Sequence, residues 1–98
     1  MPLVLRSLGL GLEQMADAAK RNDTRVWMQL SHAGRQTPKL VATEPVGPSA
    51  VPLELPGGRF GRPRALTSEE IRDVISRFAH AARVAEQTGF DGVQVHSA

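Results

Sequence analysis

Gln29 stands near the end of an extended run, Arg25 to Leu30, that opens directly into a polar stretch beginning Ser31-His32-Ala33-Gly34-Arg35. Its amide offers a donor and an acceptor side by side, the geometry needed to pair with the edge of a planar heterocycle carrying both an N–H and a carbonyl. The same amide could instead satisfy the backbone of the following loop, since most side-chain hydrogen bonds go to backbone or water. A second polar residue, His96, closes a second extended run, Phe90 to His96. Whether the two form one site depends on the elements that carry them.

In the first run, Val26, Met28 and Leu30 alternate with Arg25, Trp27 and Gln29, the period-two pattern of a short strand with Gln29 at its C-terminal end. In the second, Val93 and Val95 fall on one face and Gly92, Gln94 and His96 on the other. Gln94 lies one layer deeper than His96 and reads as packing. Between the runs, Thr67-Ser68-Glu69-Glu70 is a capping box, with Thr67 as the N-cap and Glu70 reaching back to it. Ile71, Val74, Ile75, Phe78, Ala82 and Ala85 then form one apolar helical stripe, and Gly89 is placed for a left-handed C-terminal cap. A shorter helix precedes the first strand. Leu12, Met15, Ala16 and Ala19 have helical spacing, Lys20 and Arg21 suit its C-terminus, and Asn22-Asp23 supplies a turn. Met1 to Gly11 shows no clear period.

The order is helix, strand, loop, helix, strand. A strand joined to another through a crossover helix makes a βαβ unit, so the strands should be parallel and the crossover right-handed. Parallel strands present their C-terminal ends together, which brings Gln29 and His96 to one rim, where α/β folds place their chemistry. The segment from Ser31 to Leu66 leaves that rim. It holds six of the seven prolines and five of the nine glycines with no apolar period, and reads as a long functional loop or a linker.

Composition narrows the classes. The 98 residues make one domain at most, and the absence of cysteine excludes disulfides, iron–sulfur clusters and thiolate zinc sites. Only three scattered histidines remain as metal ligands, so no metal is expected. No apolar run approaches the roughly 20 residues of a spanning helix, and the opening segment lacks a basic n-region and a cleavage site. These features predict a soluble, unexported, cytoplasmic protein. The net charge is +2, and its densest basic group, Arg59, Arg62 and Arg64, is too small to argue for nucleic acid.

The stretches Trp27 to Pro38, Pro45 to Ser49, Pro63 to Thr67 and Gly89 to Ala98, in this order and spacing, resemble the old yellow enzyme family of FMN-dependent NAD(P)H:flavin oxidoreductases and ene-reductases. The resemblance runs from about residue 12 to the last residue. It implies a (β/α)8 TIM barrel of which residues 1–98 are an incomplete part, holding the third and fourth parallel strands with their connecting helix. It implies FMN as cofactor, NAD(P)H as hydride donor and an α,β-unsaturated carbonyl compound as substrate. Gln29 matches the glutamine that hydrogen-bonds the pyrimidine side of the flavin. His96 matches the first member of a His-x-x-His or His-x-x-Asn pair that holds the substrate carbonyl and favours negative charge on it. The second member would follow directly after Ala98.

His32 and Arg35 belong to the family's His-Ala-Gly-Arg signature. They read either as a catalytic histidine with an anion-binding arginine or as braces of the rim loop, with Gly34 supplying backbone freedom. Departures are equally plain. The first two strands and the phosphate site have no counterpart, and the family's usual tyrosine proton donor is missing because the chain has no tyrosine. The leading expectation is therefore a fragment of an ene-reductase, inactive alone. The alternatives are a non-catalytic structural fragment and an anion- or nucleic-acid-binding module using Arg59, Arg62 and Arg64.

Overall fold

A computed structural model describes residues 11–97, so the reading of the opening ten residues lies outside it. Its elements are helix α1 (Leu12–Ala19), strand β1 (Trp27–Leu30), two-residue strands β2 (Val46–Gly47) and β3 (Arg64–Ala65), helix α2 (Ser68–Gln87) and strand β4 (Gly92–Val95). Single 3-10 turns cover Arg21–Asp23 and Gly34–Gln36. The chain is a small α/β structure. It divides into two compact units, one of residues up to His32 together with those from Ile75 onward, the other Ala33–Val74.

The first unit is the parallel pair the βαβ reading predicts. β1 and β4 run parallel in the register Trp27↔Gly92, Met28↔Val93, Gln29↔Gln94 and Leu30↔Val95. Side chains alternate across a strand, so this register sorts them into two faces. One carries Met28, Leu30, Val93 and Val95, and the other Trp27, Gln29 and Gln94. The apolar face builds the core, where Met28 and Leu30 pack with Ala81 and Ala85 of α2 and with the half-buried Leu12, Phe78, Ala82, Phe90 and Val93. Leu30 is only 2% exposed, and the two alanines let the helix backbone come close to the strand.

Both ends of α2 match their sequence signals. The Thr67 hydroxyl accepts the Glu70 backbone N–H at 3.1 Å, and the Glu70 carboxylate accepts the Thr67 N–H at 3.0 Å, closing the capping box. At the other end Gly89 has φ +99°, the Gly89 N–H donates to Glu86 O, and the Phe90 N–H donates to Ala85 O. That is a Schellman turn. The apolar stripe is corrected at its N-terminal part. Ile71 and Ile75 are exposed, Ile75 at 62%, while Ala81, absent from the predicted stripe, is fully buried. A four-residue strand covers only about 13 Å, so it can bury little more than two turns of a helix about 30 Å long.

The connection from α1 turns sharply through Asn22 and Asp23, both at φ +62°. Lys20 does not cap its own helix with its side chain. Its ammonium donates to the Gly89 carbonyl at 3.0 Å, on the final turn of α2. Asp91 then ties the start of β4 to β1. Its carboxylate accepts the Val26 N–H at 2.9 Å and its own N–H donates to Val26 O at 2.8 Å. Arg25 and Lys20 lie 3.8 and 4.0 Å from the same carboxylate.

The second unit corrects the expectation of a structureless segment from Ser31 to Leu66. β2 and β3 pair in parallel, Val46↔Arg64 and Gly47↔Ala65, and Pro38 bridges antiparallel to Phe60. Backbone bonds from Lys39 N–H to Arg59 O, Gly61 N–H to Thr37 O, Arg62 N–H to Thr43 O and Leu66 N–H to Gly47 O lace the two arms together. Pro45, Gly47, Gly61 and Pro63 are buried between them. No helix of the described residues is long and apolar enough to cross a membrane.

Candidate functional site

The first unit places Gln29 and His96 at the C-terminal end of one parallel pair. β1 ends at Leu30, as the extended run predicts, and β4 ends at Val95, one residue before the expected His96. The His96 N–H donates to Leu30 O at 2.8 Å, so backbone pairing continues through His96. Alternation then puts the His96 side chain on the face of Gln29 and Gln94, about 6.6 Å beyond Gln94 along the strand.

Gln29 is exposed, and its Nε2 donates to Gln94 Oε1 at 2.9 Å. One amide N–H and the Oε1 acceptor of Gln29 remain beyond that bond. This residual pair is complementary to a ring edge with an N–H beside a carbonyl, which is what the pyrimidine side of FMN presents. The donor set therefore fits the group that the sequence implies. Gln94, which the resemblance would pack inside the barrel, is exposed in this chain and joined by that bond to the candidate ligand-binding amide, a relationship that follows once the register Gln29↔Gln94 is known.

Trp27 completes the polar face from below. Its ring lies over the backbone of Gly92, where an added Cβ would sit 3.0 Å from ring carbons Cδ2 and Cε2. The ring is 63% exposed. Glycine at residue 92 thus seats the tryptophan on the sheet beside the two glutamines.

His32 and Arg35 separate between the units. His32 is exposed at the end of the β1 arm of the first unit, whereas Arg35 is exposed in the Gly34–Gln36 turn of the second. Gly34 adopts φ +54°, in keeping with the loop-bracing reading of its signature, and its carbonyl accepts the Thr37 hydroxyl at 2.8 Å. Among the three arginines of the anion-binding alternative, Arg59 and Arg62 are exposed. Arg64 is already committed. Its guanidinium forms a two-pronged ion pair with Glu70 at 2.9 and 2.8 Å. The Arg64 hydrogen bond, followed by the Thr67 N–H, lowers the Glu70 carboxyl from the usual 4.5 to about 2. An arginine so engaged braces the helix start and is a poor phosphate ligand.

A rim amide beside a rim histidine on parallel strands defines a site of the kind α/β enzymes build at strand C-termini. Comparison with known proteins makes the class specific. The model of the NADH:flavin oxidoreductase / NADH oxidase family matches residues 10–98. The NADH-dependent flavin oxidoreductase nadA of Aspergillus parasiticus is 44% identical over 86 residues, which cover 86% of this chain and 19% of that protein. The NADH oxidase of Thermoanaerobacter brockii is 38% identical over 90 residues, 90% of this chain and 13% of that protein. The NADPH dehydrogenase of Bacillus cytotoxicus is 36% identical over 88 residues, 90% of this chain and 24% of that protein. The chain belongs to the NADH:flavin oxidoreductase / NADH oxidase family, whose cofactors are FMN and NAD(P)H. It spans 13–24% of the length of these three relatives.

Proposed function

We propose that this chain supplies two neighbouring strands, with their connecting helix, to the (β/α)8 barrel of an FMN-dependent oxidoreductase that reduces the activated alkene of an α,β-unsaturated carbonyl compound. The observation that carries the reading is the exposed Gln29 amide at the C-terminal end of a parallel strand, on the face it shares with His96. The two strand faces also suit a barrel. Met28 and Leu30 pack under α2, as wall residues pack under an outer helix, while Trp27, Gln29 and Gln94 occupy the opposite face, which in a closed barrel is the interior.

Bound FMN supplies the relay by which a hydride, two electrons with one proton, passes from NAD(P)H to the β-carbon of the alkene. The balance is NAD(P)H plus one proton plus C=C giving NAD(P)+ and a saturated CH–CH. Gln29 holds the pyrimidine edge through its remaining N–H and Oε1. His96 donates an imidazole N–H to the substrate carbonyl and stabilises the charge that gathers there as hydride arrives. The resemblance assigns the α-carbon proton to a tyrosine, and these 98 residues hold none.

The test is Gln29→Ala in the full-length protein. Loss of one or two hydrogen bonds to the flavin should cost about 1–3 kcal/mol of FMN binding, or shift the flavin potential, without unfolding the barrel. Unaltered FMN affinity, potential and turnover would remove Gln29 from the site.

A further inference from the structure

We infer that Gln94 is a positioning residue that sets which end of the Gln29 amide faces the cofactor. The inference rests on the assignment of Gln29 as a flavin contact. A primary amide has nearly isosteric ends, one accepting and one donating, so a glutamine at a ring edge recognises that edge only if it is held against a half-turn flip. Nothing in the backbone of β1 supplies such a hold, because a strand fixes only where the side chain leaves the sheet. In this structure the hold comes from the neighbouring strand. Gln94 is the register partner of Gln29, and its Oε1 accepts the Gln29 Nε2–H at 2.9 Å. Flipping Gln29 alone would set two carbonyl oxygens against each other at that separation, so the amide reverses only if Gln94 turns with it.

The surroundings strengthen the coupling. Cross-strand partners on one face are adjacent at every layer, so the contact needs no long reach. Below it, on the same face, Trp27 occupies the space over Gly92. Neither glutamine is buried, so the contact adds little to folding, and its consequence lies in the direction of the free Gln29 atoms. Gln94 has no need to touch the flavin to do this.

The experiment is a double-mutant cycle in the full-length holoenzyme, read by the FMN dissociation constant and the flavin midpoint potential. Gln94→Met keeps the length of the side chain and removes its acceptor. It should weaken FMN binding by about three- to tenfold, the scale of one hydrogen bond. It should have no effect when Gln29→Ala is already present. Gln94→Glu retains an acceptor at the same reach and should keep the affinity that Gln94→Met loses; its own charge effect on the potential is read in the Gln29→Ala background and subtracted. Melting temperatures of the FMN-stripped variants should agree, since the linkage of FMN binding to stability is then removed. A Gln94→Met effect of equal size with and without Gln29→Ala would overturn the inference, as would no effect at all or failure of Gln94→Glu to retain affinity. If Gln29→Ala itself changes neither readout, the flavin assignment of Gln29 falls, and this inference with it.

Discussion

Replacing Gly92 by alanine isolates the contact that seats Trp27 on the sheet. The new Cβ would meet three ring carbons of Trp27 at 3.0, 3.0 and 3.1 Å. Ordinary carbon contacts lie at about 3.5–4.0 Å, so the ring must retreat by about 0.5–1 Å. The ring is 63% exposed in this chain, and a tilt that leaves the backbone in place costs what an off-rotamer side chain does, about 0.5–1.5 kcal/mol. Against this stands the gain of replacing glycine within a strand, about 0.5–1 kcal/mol. The two effects nearly cancel, so Gly92→Ala alone should change stability little. With Trp27→Ala present only the gain remains, and Gly92→Ala should stabilise by about 0.5–1 kcal/mol. The coupling between the two positions is therefore about 1 kcal/mol, within the range for residues in contact. Denaturant melts of the four full-length proteins measure it directly. An identical effect of Gly92→Ala in both backgrounds would refute the placement of the ring.

His96→Ala in the full-length protein should slow reoxidation of reduced flavin by an enone far more than reduction of the flavin by NAD(P)H, because the role proposed for the imidazole is at the enone carbonyl. Stopped-flow measurement separates the two half-reactions, and equal slowing would assign His96 a structural role. Glu70 has its carboxyl lowered to about 2, so the unfolded chain binds more protons than the folded one between that value and the usual 4.5. Its contribution is then complete above pH 4.5 and lost as the pH falls toward 2, and Glu70→Gln should flatten acid melts within that window and leave neutral melts parallel. The 98-residue chain expressed alone should neither retain stoichiometric FMN nor reduce enones, and should self-associate. Its β1–β4 pair has open edges, and Val95 and Ile75 are 61% and 62% exposed on apolar positions. Size exclusion, circular dichroism and a flavin titration check this, and a monomer that melts cooperatively and binds FMN at micromolar concentration would contradict it.

Local signals were the most legible part of the sequence. Thr67 with Glu70, Gly89 after the helix, and the alternation around Met28 and Leu30 each rest on bonds or contacts within a few residues, and the structure contains them all. The parallel pairing of β1 and β4 followed from the helix between them. Less accessible was anything set by residues distant in sequence. The arms of the Ala33–Val74 unit meet through backbone bonds between positions about 20 residues apart, and two-residue strands leave no period to detect. The Arg64 pair with Glu70 is hidden for a different reason, since Arg64 lies outside the helix that carries Glu70 and a six-residue separation has no spacing rule that marks an ion pair. Gln94 was assigned to the correct face but not to its partner, because alternation gives faces and only register gives pairs.

The junction between α2 and β4 has a consequence for insertions and deletions. Only Thr88, Gly89, Phe90 and Asp91 separate the two elements, and each is committed: Thr88 to the Val84 carbonyl, Gly89 to the turn, Phe90 to Ala85 and the core, Asp91 to Val26. Adding or removing one residue here would rotate β4 by half a turn about its axis relative to its anchor. Val93 and Val95 would then stand beside Gln29, and Gln94 and His96 would be pressed beneath the helix. Extra residues should therefore be tolerated at exposed turns such as Pro56-Gly57-Gly58, while the four-residue junction is held to its present count by the register of β4 against β1.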